Sequence, residues 1–226
     1  MDRAETFTLE MFIRVHGFGL AHAASFPAAS RGDELFKRLG TLINTLQEHA
    51  ATQYSSTHAS REGTTRQAVA LSELQDDLEA ISRTARALSF SIPGLNEKFR
   101  LPRNQGAQSW LTAGRAFAAD ALPIKANFIQ LGMPATFLED LNASIAAVDE
   151  AINHRGQVSG EGVAASAAID EAIDDGMKIA RELDAIVRNI FSNDPATLAA
   201  WTSARHIERA PRPLTQAVLT SFSIKI

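Results

Sequence analysis

Cysteine is absent from the 226 residues, which removes disulfides, thiolate metal sites and thiol nucleophiles together. A chain without disulfides fits a reducing compartment. The opening Met1-Asp2-Arg3-Ala4-Glu5 mixes charges where an export signal would be basic, and Glu10 and Arg14 interrupt any apolar stretch behind it. A cytoplasmic protein is the expectation. Long hydrophobic runs are missing too: even 117–129 carries Asp120 and Lys125, so no membrane span of about 18 apolar residues can be drawn. There is no excess of positive charge, since the formal net charge is -4, and nucleic acid is not an expected partner without a local basic patch.

The linear signatures of several chemistries are also lacking. A di-iron helical bundle needs Glu-x-x-His on two helices so that both side chains reach one metal, and no Glu here has His three residues later. The six histidines, His16, His22, His49, His58, His154 and His206, never stand one helical turn apart as paired zinc ligands do. Glu150 and His154 form a surface pair near a helix end, where an imidazole meets the helix dipole. No phosphate-cradling Gly-x-x-x-x-Gly-Lys loop and no Gly-x-Ser-x-Gly elbow occurs. The acidic clusters Glu73, Asp76, Asp77, Glu79 and Asp170, Glu171, Asp174, Asp175 read as solvated helix faces. No catalytic residue, metal ligand or cofactor is assigned.

What the chain does have is helical periodicity, on an apolar content of 45% that is ample for a core burying roughly 70% of the unfolded surface. Leu71, Leu74, Leu78, Ile81, Ala85 and Leu88 alternate steps of three and four, which lines them along one stripe of a helix. Leu35, Leu39, Leu42 and Leu46 repeat the step, as do Leu138, Leu141, Ile145, Val148 and Ile152, and again Ile169, Ile173, Ala180, Leu183, Val187 and Ile190. The spacing predicts four long helices over about 32–60, 62–91, 134–156 and 163–191, with turns at 60–63, where Gly63 stands, and at 157–162, which follows Gly156 and holds Gly160 and Gly162. Ser30 with Asp33 signals the first of these starts, and Pro93 with Gly94 the end of the second.

Shorter helices are expected at 3–24, at 107–122 and 123–131 either side of Pro123, and from Asp194-Pro195 to about 207. Acid and base one turn apart, Glu34 and Arg38, Glu62 and Arg66, Glu79 and Arg83, Asp174 and Lys178, Asp184 and Arg188, mark the wet faces. The fold expected is all-α, an up-down-up-down bundle of four long helices with additional shorter helices, forming one domain over 1–210 with a tail at 211–226. Two helical hairpins with separate cores are the alternative.

Two features could recognise something. Lys98, Arg100 and Arg103 lie in an irregular loop, and Arg205, His206, Arg209 and Arg212 follow the last helix. Phe90, Phe99, Trp110, Phe117, Phe128, Phe137 and Trp201 flank broken helices, where large side chains fill gaps at a bundle end or wall a pocket. The stretches Ala85-Arg86-Ala87-Leu88, Pro93-Gly94-Leu95, Lys98-Phe99-Arg100-Leu101-Pro102-Arg103, 183–189 and Ala204-Arg205-His206-Ile207-Glu208-Arg209 resemble a group of uncharacterised bacterial all-helical proteins. That resemblance implies a helical fold and no activity, cofactor or partner.

The function expected is a non-enzymatic interaction or scaffold protein, with a homo-oligomer or protein partner. The alternative is a module binding an anionic or aromatic small molecule in a pocket of Phe99, Trp110, Phe117, Phe128 and Trp201, rimmed by Arg100, Arg103, Arg205 and Arg209. An enzyme stays open in principle, because side chains assembled only by folding leave no linear motif.

Overall fold

The computed structural model describes residues 1–104 and 106–208, and among these the regular structure is helix throughout, without a strand. The all-α expectation holds. Helix α1, Arg3–Ala21, begins at a capping box: the Asp2 carboxylate accepts from the Glu5 amide at 2.8 Å and Glu5 accepts in return from the Asp2 amide at 2.5 Å. It buries Met11, Phe12, Val15 and Phe18.

Helix α2 runs without interruption over Arg31–Leu88, where the sequence pattern placed two helices and a turn at 60–63. Residues 52–65 are polar but contain no proline, and one glycine costs only about 1 kcal/mol of helix propensity. Polarity moved the segment to the surface without breaking it. Gly63 is buried instead, with space for ordinary contact against Arg155. The start is as expected: the Asp33 amide donates to the Ser30 hydroxyl at 3.3 Å. Beyond the end of α2, Gly94 takes the left-handed φ of 91° that only glycine adopts without strain.

A single turn, α3 (Leu95–Lys98), leads to α4 (Ala107–Ala121), a tight turn containing Pro123, and α5 (Lys125–Gln130), after which Gly132 has φ 92°. Helix α6 then covers Phe137–Ile190. The expected connection at 157–162 is therefore also corrected. Gly156, just before it, and its two glycines, Gly160 and Gly162, all sit in helical backbone, and around Gly156 and Gly160 an added Cβ would meet nothing within 4 Å. Two long helices thus stand in place of the four anticipated. Helix α7, Pro195–Ala204, is capped by Asp194, which accepts from the Thr197 amide at 3.1 Å and hydroxyl at 2.7 Å. The expected tail at 211–226 lies outside the described residues.

The chain gathers into two compact units, the first comprising Met1–Tyr54 with the residues from Val163 onward and the second Ser55–Gly162. In the first, Met11, Phe12, Val15 and Phe18 of α1 pack with Leu35, Leu39 and Leu46 of α2 and Ile179, Leu183 and Val187 of α6. Gly176 lets α1 approach α6, since a Cβ there would collide with the Phe12 ring. In the second, Leu74, Leu78, Ile81 and Ala85 of α2 meet Leu138, Leu141 and Val148 of α6, closed over by α4 and α5. The stripes read from the sequence are these seams, although Ile190 is exposed and Leu42, Leu71, Ile152 and Ile173 are half-buried.

Of the acid–base pairs expected one turn apart, Asp184 and Arg188 meet at 2.9 Å. Arg38 and Lys178 both turn instead to Asp175, at 3.5 and 2.9 Å, while Glu34 pairs with Arg31 at 3.7 Å. No helix among the described residues is long and apolar enough to cross a membrane.

Candidate functional site

The aromatic residues suggested for a pocket are drawn into the two cores. Phe99, Phe117 and Phe128 stack edge to face in the second unit, Phe99 lying 5.2 Å from Phe117 and 5.5 Å from Phe128 between ring centroids. Trp110 shares that core, and all four are at most 4% exposed. They fill the end of the unit, as gaps around the short helices α3 to α5 require. The Trp110 indole N–H is buried with no hydrogen-bond acceptor among the described residues. Trp201 belongs to the other core, 5.0 Å from Phe18.

The arginines are divided in the same way. Arg100 is exposed in the second unit and reaches Glu97 at 3.6 Å, Lys98 pairs with Asp120 at 2.8 Å, and Arg103 is exposed. Arg205 belongs to the first unit. Arg209 and Arg212 lie outside the described residues. Phe90 was read as part of the same aromatic group, yet it is 93% exposed. The acidic clusters form no group that could hold a metal ion among the described residues.

Arg205 leads to the feature with the most chemical content. It caps the C-terminus of α7 and pairs with the Asp184 carboxylate of α6, which also accepts from Trp201 Nε1 at 2.8 Å and Arg188 Nε at 2.9 Å. Partial burial pushes the Asp184 carboxyl upward, but the hydrogen bonds from Arg205, Trp201 and Arg188 outweigh it and hold its pKa below the ordinary aspartate value. This cluster fastens the polar edge of α7 while Trp201 fixes its apolar side. Arg14 of α1 donates to the His206 carbonyl at 2.5 Å, so the chain leaving α7 is tied to α1 as well.

Beside this cluster opens a pocket of about 770 Å³, lined by Met11, Met177, Ala180, Arg181, Arg205, His206 and Ile207. Its size falls within the range of small-molecule sites. Arg181 is exposed and forms no ion pair or hydrogen bond with any described residue. Among the described residues, the lining therefore combines two guanidiniums and an imidazole with two thioethers and aliphatic carbon, without a carboxylate, a hydroxyl or an aromatic ring other than imidazole.

Of the expected rim, Arg205 lies on this wall, together with His206 of the same basic segment. Arg181, Met11 and Met177 were missed. Met177 and Arg181 are one helical turn apart and so share a face of α6, a signal the sequence carries, but nothing in it brings α1 or the end of α7 to that face. Comparison of the chain with family models, with curated proteins and with solved structures finds no match.

Proposed function

We propose that the protein is a cytoplasmic, non-enzymatic binding module whose first unit takes a small anionic ligand between Arg181, Arg205 and His206. The supporting observation is the uncompensated positive charge on one wall of the pocket. Arg188 and Arg205 share the single carboxylate of Asp184, and Arg181 has no counter-charge among the described residues. Guanidiniums present paired donors that match carboxylate or phosphate oxygens. Among the described residues, the lining holds no nucleophile with a neighbouring base, which argues for binding over turnover.

Thermal denaturation against a panel of organic acids tests this reading. A ligand at a hundred times its dissociation constant adds about 2.7 kcal/mol of stability, and Arg181→Gln should remove most of that gain while Arg100→Gln, on the other unit, should not. If no acid raises the midpoint, or Arg181→Gln responds like the parent protein, the reading fails.

Self-association is the second reading, favoured by an exposed stripe on α1. Ile13 and Leu20 are 45% and 68% exposed, and Gly17 between them has open space around it. A sedimentation experiment in which the parent forms dimers and Leu20→Glu is monomeric would support it, whereas a monomeric parent at high concentration would eliminate it.

A further inference from the structure

We infer that the ligand of this pocket is a single-chain anionic amphiphile, an unbranched aliphatic tail ending in a carboxylate or phosphate, and this rests on the anion-binding reading above. The chemistry of the lining narrows the class. A nucleotide or sugar presents many donors and acceptors, each of which must be matched or remain in water. Among the described lining residues, the side chains of Met11, Met177, Ala180 and Ile207 offer no strong donor or acceptor to match them, and no Phe, Tyr or Trp ring is present on which a base could stack. Among the described residues, the polar side chains of the wall are those of Arg181, Arg205 and His206, all of which can donate to an anion.

What the remainder of the lining offers is shape and dispersion. Methionine has three rotatable bonds and a polarisable sulfur, so the half-buried Met177 adapts to a flexible hydrocarbon better than a branched residue would. Met11 is 1% exposed and forms the fixed side, whereas Met177 is half-buried and free to adjust. Charge at one wall and aliphatic surface elsewhere is the complement of a head group on a hydrocarbon chain.

Calorimetric titration of the full chain with acetate, hexanoate, octanoate and decanoate, below their micellar concentrations, tests the inference. Each buried methylene should raise affinity about fourfold. Decanoate and decyl phosphate should bind, their ratio identifying the preferred head group, while decanol and decylamine should bind at least tenfold more weakly than either. Arg181→Gln should weaken decanoate about tenfold. Met177→Glu, a change at a half-buried position, should abolish the chain-length dependence, with circular dichroism verifying that the variant is folded. If short and long carboxylates bind equally, the amphiphile inference is overturned while anion binding stands. If decanol binds as well as decanoate and Arg181→Gln has no effect, anion recognition itself is wrong, and if nothing binds both readings fall.

Discussion

Asp184 accepts from three donors, two of them charged, and this concentration makes it the polar residue whose loss should be felt most. Asp184→Ala strips the acceptor from the Trp201 indole and leaves Arg188 and Arg205 facing each other without a counter-charge. A loss of about 2 kcal/mol is expected, the range for hydrogen bonds to charged groups and for a stranded buried donor. Urea unfolding followed by Trp201 fluorescence would measure it, and an effect below about 0.5 kcal/mol would show that the cluster is an ordinary surface ion pair. The pH dependence has a definite sign. Because folding lowers the pKa of Asp184, its contribution is complete above the ordinary aspartate value and disappears as pH falls through the lower folded value. Parent and Asp184→Ala stabilities should accordingly converge in acid and differ by a constant amount near neutrality. Little of this residue's role was legible beforehand: its pairing with Arg188 follows from local spacing, but the approach of Trp201 and Arg205 depends on the chain turning back after α6.

At the scale of elements, the seams were legible and the interruptions were not. Apolar steps of three and four register burial, and Leu74, Leu78 and Ile81 or Leu138, Leu141 and Val148 occupy the buried stripes that the spacing assigns. Proline and capping residues marked real boundaries at Ser30, Pro93, Pro123 and Asp194. Glycine and polarity alone misled, because a helix crossing a wet stretch loses its apolar stripe without losing its backbone hydrogen bonds, and Gly156 and Gly160 are tolerated at about 1 kcal/mol each. The difference is measurable. Gly156→Ala and Gly160→Ala should each stabilise the protein by up to about 1 kcal/mol, since the backbone there is helical and the space is open. A turn requiring left-handed glycine would give the opposite sign. Gly176→Ala is the internal contrast: the same gain in propensity is opposed by collision with the buried Phe12 ring, and overpacking of about 1–3 kcal/mol should leave the variant less stable than the parent. Thermal melts of the three variants would decide, and a stabilised Gly176→Ala would refute the close approach of α1 to α6.

For the molecule as a whole, the two cores draw on different segments of the same two helices. Leu39 and Trp201 belong to one cluster, Leu74 and Trp110 to the other. The stretches of helix between them carry little apolar burial: from Leu46 to Ala70 the buried positions on α2 are Ser56 and Gly63, and from Ala151 to Ile169 on α6 they are Val158 and Ala165. Thinly packed helix opens at lower free energy than core helix, so amide protection should fall across 52–66 and 153–164 while remaining high in the seams. The same burial pattern governs cooperativity. Leu39→Ala and Leu74→Ala each empty a fully buried site and should cost about 2–5 kcal/mol. Each core contains one of the two tryptophans, so Trp110→Phe and Trp201→Phe backgrounds isolate the signals. Because the intervening stretches of α2 and α6 bury so few side chains, Leu39→Ala should lower the midpoint reported by Trp201 more than that reported by Trp110, and Leu74→Ala should do the reverse. Coincident transitions in every variant would mean that continuous backbone hydrogen bonding through α2 and α6 suffices to make the units unfold as one.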